Sequence, residues 1–357
     1  MRARIAGLAA WFPEKVRSNA DWPQAFVEAS RARQGDRSLV DVPSDASDPA
    51  LRIVQRYLAE EASDPFLASR ERRIADDTLT SAEAEAHAGR AALADAGLEA
   101  SELDAIFSWA LVPDRLMPTN GCRVGALLGA ERAWATSVDS ACASPVTQLD
   151  LAAALIESGR ARHVLLTQSH LATRTLPMMH PVAPTVGDGA SAMVVSASEK
   201  PGILRAHART HGEHHDAVVW CRGKTDDSDP PWWQAGSPFA MGSRNPEATK
   251  RLMQNTVPTA VQTVTELAQH AGFSVDSIET LVSVQPRRWV PLAIAEALGL
   301  SASTAVETFQ RYAHLGGVGP VVNLLAAREA GRLSPGSRVV MYAQGAGFTR
   351  AAVALSW

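Results

Sequence analysis

Trp134-Ala135-Thr136-Ser137-Val138-Asp139-Ser140-Ala141-Cys142-Ala143-Ser144-Pro145 reads as a short strand that passes through a tight turn into a helix. Small residues on both sides of Cys142 permit the turn, and Pro145 suits a first helical turn, where its missing N–H is not needed. Cys142 therefore stands at a helix N-terminus. Unsatisfied N–H groups and the positive end of the helix dipole favour a thiolate there, so the sequence predicts a thiol of lowered pKa and raised reactivity. A free cysteine is more often a small buried hydrophobe, and the spacing by itself does not exclude that.

Strand followed by helix recurs on both sides of this stretch. Strand-length apolar runs fall at 103–110, 134–138, 163–168, 192–196, 280–284, 338–342 and 351–355, and amphipathic helices at 81–96, 145–158, 247–271 and 289–298. Each helix ends at a glycine (Gly97, Gly159, Gly272, Gly299) that accepts the left-handed conformation of a C-terminal stop. The alternation predicts an α/β protein. Its elements sort into two similar sets, a half at 1–200 and a half at 201–357, as in a duplicated unit. Two stretches fit neither set: 31–64, mixed and charged, and 226–246, which holds Trp232, Trp233 and Met241. Both are expected to be long irregular insertions of the kind that serve as lids, binding loops or surface ornament.

The 357 residues are 46% hydrophobic and 20% charged with a net charge of -4, which excludes global disorder and gives no electrostatic footprint for nucleic acid or an anionic membrane. With no apolar leader-like start and no run of about 18 apolar residues, the sequence predicts a soluble, cytoplasmic chain. Cys122, Cys142 and Cys221 are too few and too irregularly spaced for a disulfide framework or a zinc site, and neither metal nor cofactor is expected. His211, His214 and His215 cluster with Glu213 but lack a further ligand pair, which predicts a solvated loop.

Three further segments bear on Cys142. Gly187-Asp188-Gly189-Ala190 is a close-packed turn; His314-Leu315-Gly316-Gly317-Val318-Gly319 puts a histidine before a Gly-rich helix entry; Gln344-Gly345-Ala346-Gly347-Phe348-Thr349 offers backbone N–H groups to an oxyanion. In this order and at these intervals the chain resembles the thiolase-fold condensing enzymes, and within them the β-ketoacyl-acyl carrier protein synthase III group. Gly7 to Asn19, Ser69-Arg70-Glu71-Arg72-Arg73-Ile74 and Ser140-Ala141-Cys142-Ala143-Ser144 carry the same likeness. The resemblance implies a five-layered α-β-α-β-α fold, a homodimer, acylation of Cys142 by a coenzyme A or carrier-protein thioester, and an oxyanion hole from the backbone N–H groups of Cys142 and Ala346.

One departure matters. Synthases of this group carry His in a His-Gln-Ala-Asn motif and an Asn about one strand-helix unit later. The first motif aligns here with Val284-Gln285-Pro286-Arg287, and His314 stands where the Asn would be. Decarboxylative condensation needs two or more donors on the thioester oxygen of the extender, and Val284 supplies none. Acyl transfer needs a thiol, an oxyanion hole and one base, a role His314 can fill. The sequence thus predicts a ketosynthase III-like acyltransferase passing an acyl group from Cys142 to an oxygen, nitrogen or sulfur nucleophile in specialised metabolism. The rivals are a carbon–carbon bond-forming synthase and a non-catalytic partner subunit of a heterodimer. Arg287 and Arg288 are candidates for the acidic face or phosphate of a carrier protein, and Trp232 and Trp233 for an apolar wall at the tunnel entrance. His170 and His180 are expected at a dimer interface. The family commonly sets a Trp and an Arg against the coenzyme A adenine, yet no Trp lies between Trp22 and Trp109; a carrier protein is the preferred donor.

Overall fold

The computed structural model describes residues 1–34, 48–222, 239–243 and 245–357. Its first sheet orders five strands β1-β7-β6-β4-β5, with β1 Arg2–Trp11, β4 Ala105–Ala110, β5 Trp134–Ser137, β6 His163–Leu171 and β7 Asp188–Ser198. The short pair β2 Val16–Ser18 and β3 Glu71–Arg73 lies apart from it. The second sheet orders four strands β11-β12-β13-β8, with β8 Ile203–Thr210, β11 Thr280–Ser283, β12 Arg338–Gly345 and β13 Thr349–Ser356. Between β8 and β11 the strands β9 Val219–Arg222 and β10 Phe239–Gly242 pair with each other.

The two sheets repeat one plan. β1 is antiparallel to β7, β7 to β6, and β6 is parallel to β4; β8 is antiparallel to β13, β13 to β12, and β12 is parallel to β11. Where the first sheet adds β5, the second keeps only a parallel bridge, Leu281 with Ala305. A strand buried on both faces reads as a continuous apolar run, as in Val339 to Ala343 of β12.

Helices α1 Gln24–Gln34, α2 Pro49–Glu61, α3 Ser81–Ala96, α4 Asn120–Leu128 and α5 Ser144–Glu157 belong to the first part of the chain; α6 Pro246–Gln254, α7 Thr256–Ala271, α8 Val290–Ala297, α9 Phe309–Tyr312 and α10 Val318–Glu329 belong to the second. α5 and α10 contact strands of both sheets, α3 and α4 cover the outer face of the first, and α7 and α8 the outer face of the second. This is the five-layered α-β-α-β-α arrangement of the thiolase fold. The central layer meets both sheets mainly through apolar side chains, with Leu149, Ile156, Val321 and Leu324 inaccessible, while buried Gln148 and Asn323 bond to strands of the first and second sheet.

Gly97, Gly159, Gly272 and Gly299 all take positive φ, the left-handed stop anticipated for them. Two expectations are corrected. The helix anticipated over 247–271 is two helices meeting at Asn255, because Pro258 has no N–H to give the Gln254 carbonyl and its ring crowds that carbonyl. Of the stretch 31–64, expected to be an irregular insertion, residues 35–47 lie outside the described residues, and the rest holds the end of α1 and all of α2, whose Ala50 and Val54 join the apolar cluster of α7 and α8. An Asp48 cap accepting from Ala50 N and a proline in the first turn define its start. Of the stretch 226–246, Trp232 and Trp233 lie outside the described residues.

Candidate active site

β5 ends at Ser137, and the chain reverses through Asp139 to Cys142 before α5 begins at Ser144. The turn is held by its own polar groups. Ala141 N donates to Asp139 Oδ1 at 2.7 Å, Ser140 N to Ser144 Oγ at 2.9 Å, and Ser144 Oγ to the Ala141 carbonyl at 2.7 Å. The Trp109 indole also donates to Asp139 Oδ1, at 2.9 Å. Ala141 has φ +49° and Ala313, just before His314, has φ +57°. Such conformations cost a non-glycine residue of the order of 1–3 kcal/mol, so both candidate catalytic residues are presented by locally strained backbone.

His314 is brought across from the second half. Its N donates to the Thr185 carbonyl at 2.8 Å and its own carbonyl accepts from Gly187 N at 3.1 Å, stitching it to the Gly187-Asp188-Gly189 turn. His314 Nε2 lies 3.9 Å from Cys142 Sγ, and Nδ1 lies 3.0 Å from the Gln285 carbonyl. A carbonyl only accepts, so Nδ1 carries the proton and Nε2 turns a lone pair to the thiol. The Cys–His pair is formed.

The thiol itself corrects an expectation. Rather than lowered, its pKa is pushed up to about 12, by burial first and the Asp139 carboxylate second, against the smaller effect of the Cys142 backbone N–H. His314 is pushed down to about 4, by burial first, with the Gln285 carbonyl raising it and the Arg287 charge lowering it. Two neutral partners thus face each other, and the nucleophile is made when His314 takes its proton.

Val284 is buried in the apolar core between the sheets. Neighbouring amides do not substitute for a lost histidine: Gln285 Nε2 donates to the Val306 carbonyl and Asn323 Nδ2 to the Ser283 carbonyl. Gly345 approaches the nucleophile turn so closely that a Cβ there would lie 2.0 Å from the Ser140 carbonyl oxygen and 3.0 Å from Cys142 N. Ala346 follows it, exposed, on the loop to Phe348.

His170 corrects a second expectation. It is not on an outer surface but buried, its ring centroid 5.7 Å from that of His314. The alternation of β6 turns Gln168 and His170 the same way, a signal that marks a shared face but not what lies against it. Trp109 positions Asp139 and the Gln285 carbonyl positions His314; an aromatic in an apolar strand and a backbone carbonyl leave no mark of such a role in a sequence pattern. Arg287 pairs with Glu61 at 3.9 Å and Arg288 with Glu307 at 3.7 Å. The rings of His211 and His214 flank Phe348 rather than standing in solvent. Among the described residues no group of three or more His, Cys, Asp or Glu could hold a metal ion, and no helix is long and apolar enough to cross a membrane.

Fold and site together define an α/β enzyme of the thiolase fold built around a cysteine. Residues 137–212 match the model of the 3-oxoacyl-[acyl-carrier-protein] synthase III family and residues 268–357 that of its C-terminal part. The chain is 30% identical over 349 residues to the β-ketoacyl-[acyl-carrier-protein] synthase III of Bordetella petrii, covering 97% of this chain and 95% of that protein. It is likewise 30% identical to the one from Granulibacter bethesdensis over 98% of this chain and 97% of that protein. The protein belongs to the β-ketoacyl-[acyl-carrier-protein] synthase III family. The crystal structure of the Aquifex aeolicus 3-oxoacyl-[acyl-carrier-protein] synthase III shares its fold with a TM-score of 0.78 at 24% identity, covering 99% of this chain and 100% of that one. A variant of Xanthomonas campestris OleA shares the fold at 0.77 and 20% identity, covering 100% and 99% of the two chains.

Proposed function

We propose that this protein is a cytoplasmic ketosynthase III-like acyltransferase of specialised metabolism, working as a homodimer on carrier-protein or coenzyme A thioesters. The observation that carries the reading is the Nε2 lone pair of His314 at 3.9 Å from the Cys142 thiol, with a buried valine where the family places its second polar group. In the first half-reaction His314 Nε2 takes the thiol proton as Sγ bonds to the acyl carbon. The carbon–sulfur bond to the donor then breaks, and the departing thiolate takes the proton back from His314. In the second, His314 removes a proton from an acceptor hydroxyl, amine or thiol, the acceptor bonds to the acyl carbon, and Cys142 leaves and is reprotonated. Backbone N–H groups of Cys142 and Ala346 hold the oxyanion in both steps.

The names of the relatives favour a second reading, β-ketoacyl synthesis by Claisen condensation. Intact-mass measurement after exposure to acyl thioesters, followed by a chase with labelled malonyl thioester, separates the two. Acyl transfer predicts a stable adduct on Cys142, absent in Cys142→Ala and formed about 100-fold or more slowly in His314→Ala, with no carbon dioxide released. Stoichiometric carbon dioxide would establish condensation instead. An adduct that survives Cys142→Ala would overturn both.

A further inference from the structure

We infer that His170 is a positioning residue for the acyl transfer proposed above: its neutral imidazole orients the ring of His314 and stabilises the positive charge that ring gains on taking the Cys142 proton. The inference rests on that reading, since it assigns His170 a role only through His314.

His170 comes from β6 in the first half and His314 from the loop before α10 in the second, yet the two rings meet edge to face, 5.7 Å apart at 71°. The site is built for this contact. His170 Nδ1–H donates to the Gly187 carbonyl at 2.8 Å, and Gly187 N donates to the carbonyl of His314, so one glycine fixes both histidines. On the other side the Cδ2–Nε2 edge of His170 faces Gly316, where a Cβ would fall 2.5 Å from Cδ2 and 3.1 Å from Nε2. Gly316 has φ +54° and Trp109 closes the same wall. Only glycine leaves room for the ring.

With its proton on Nδ1 and its Nε2 edge turned to Gly316, His170 meets His314 ring against ring, and the π system of a neutral imidazole attracts a neighbouring cation. Burial first and the charge of His314 second press its pKa down to about 3. At neutral pH both rings are therefore neutral before the thiol proton moves. The other groups facing the pair leave it this task. Arg287 opposes charge on His314. The Asp139 carboxylate is occupied by Trp109 and Ala141 N. That of Asp188 is turned to Ala75 N and Thr173. Glu85 lies behind β6, bonded to Thr167 and Ser169.

The test compares acylation rate against pH in wild type, His170→Phe, which keeps a ring, and His170→Asn, which keeps a donor for Gly187. Both variants are expected to acylate about tenfold more slowly at neutral pH at unchanged thioester affinity, with the acid limb moved about one unit lower, because the imidazolium of His314 has lost its support. Full activity in His170→Asn would reduce His170 to a brace for Gly187 and overturn the inference, as would wild-type profiles in both. Should neither variant fold, histidine NMR of the wild type decides: the His170 ring signals must move as His314 titrates, and their indifference would also overturn it. His314→Ala serves as the control, since wild-type acylation in that variant refutes the underlying reaction rather than the part played by His170.

Discussion

Cys142 and His314 meet as neutral groups because burial penalises both charged forms, the thiolate and the imidazolium alike. The pH behaviour follows from the sign of each shift. His314 is held at about 4 and His170 at about 3, below the ordinary histidine value of 6.5. His314 therefore remains a base well into the acid range, and the acylation rate is expected to hold level from neutral pH downward until its acid limb near pH 4. A limb near 6.5, measured by rapid-quench acylation, would show that the imidazole is solvated instead. Stability carries the opposite face of the same shifts. Unfolded chains bind protons at these histidines below about 6.5 and the native protein does not, so their contribution is full above 6.5 and is lost as the pH falls through 4 and 3.

Two contacts between elements lend themselves to test. β12 delivers Gly345 against the turn between β5 and α5, with no room for a side chain. Gly345→Ala must push that loop off the backbone of Ser140 and Cys142, and the acylation rate is expected to fall by about 100-fold, the loss seen when an oxyanion donor is removed. Glu85 joins elements of a different kind. From α3 its fully buried carboxylate accepts from Ser108 of β4, Thr167 and Ser169 of β6 and Asn120 of α4. Burial pushes it up to about 7, against these four hydrogen bonds. A raised acid binds its proton more readily in the folded state, so its contribution to stability is fullest below the ordinary glutamate range and fades as the pH climbs through 7. Glu85→Gln removes that titration, and its urea midpoint is expected to gain on the wild type between pH 5 and pH 8. A constant difference would show that Glu85 does not titrate there. Glu85→Leu strands four buried donors and should destabilise at both pH values, by about 3 kcal/mol or more.

At the scale of the whole molecule, β5 is an edge strand of the first sheet. β5 pairs only with β4 in its sheet, and Trp134 on it is 52% exposed. The adjoining loop shows Leu116 at 74% and Met117 at 84%, tied to β5 through the hydroxyls of Thr119 and Ser137. Apolar side chains beside an unpaired edge suit pairing with a second copy. A homodimer by light scattering, weakened at least tenfold by Trp134→Glu, is the expected result; a monomer at micromolar concentration would rule the dimer out.

The linear order of residues settled what is local. Apolar runs marked the strands β4 to β7 and β11 to β13, glycine stops marked the ends of α3, α5, α7 and α8, and the small residues around Cys142 marked its turn, because backbone preferences act over a few neighbours. Pro258 was also there to be read as a helix break, and so was α2, whose Ala50, Ile53, Val54, Tyr57 and Leu58 recur at helical spacing among the charged residues of its stretch. The tertiary structure decided the chemistry. Cys142 and His314 are 172 residues apart, and His170 and Glu85 lie on elements whose patterns say only that one face is buried. Whether a thiol is easy or hard to ionise depends on how much water surrounds it and which charges stand near. Folding fixes both, by bringing distant segments together and closing them off from solvent.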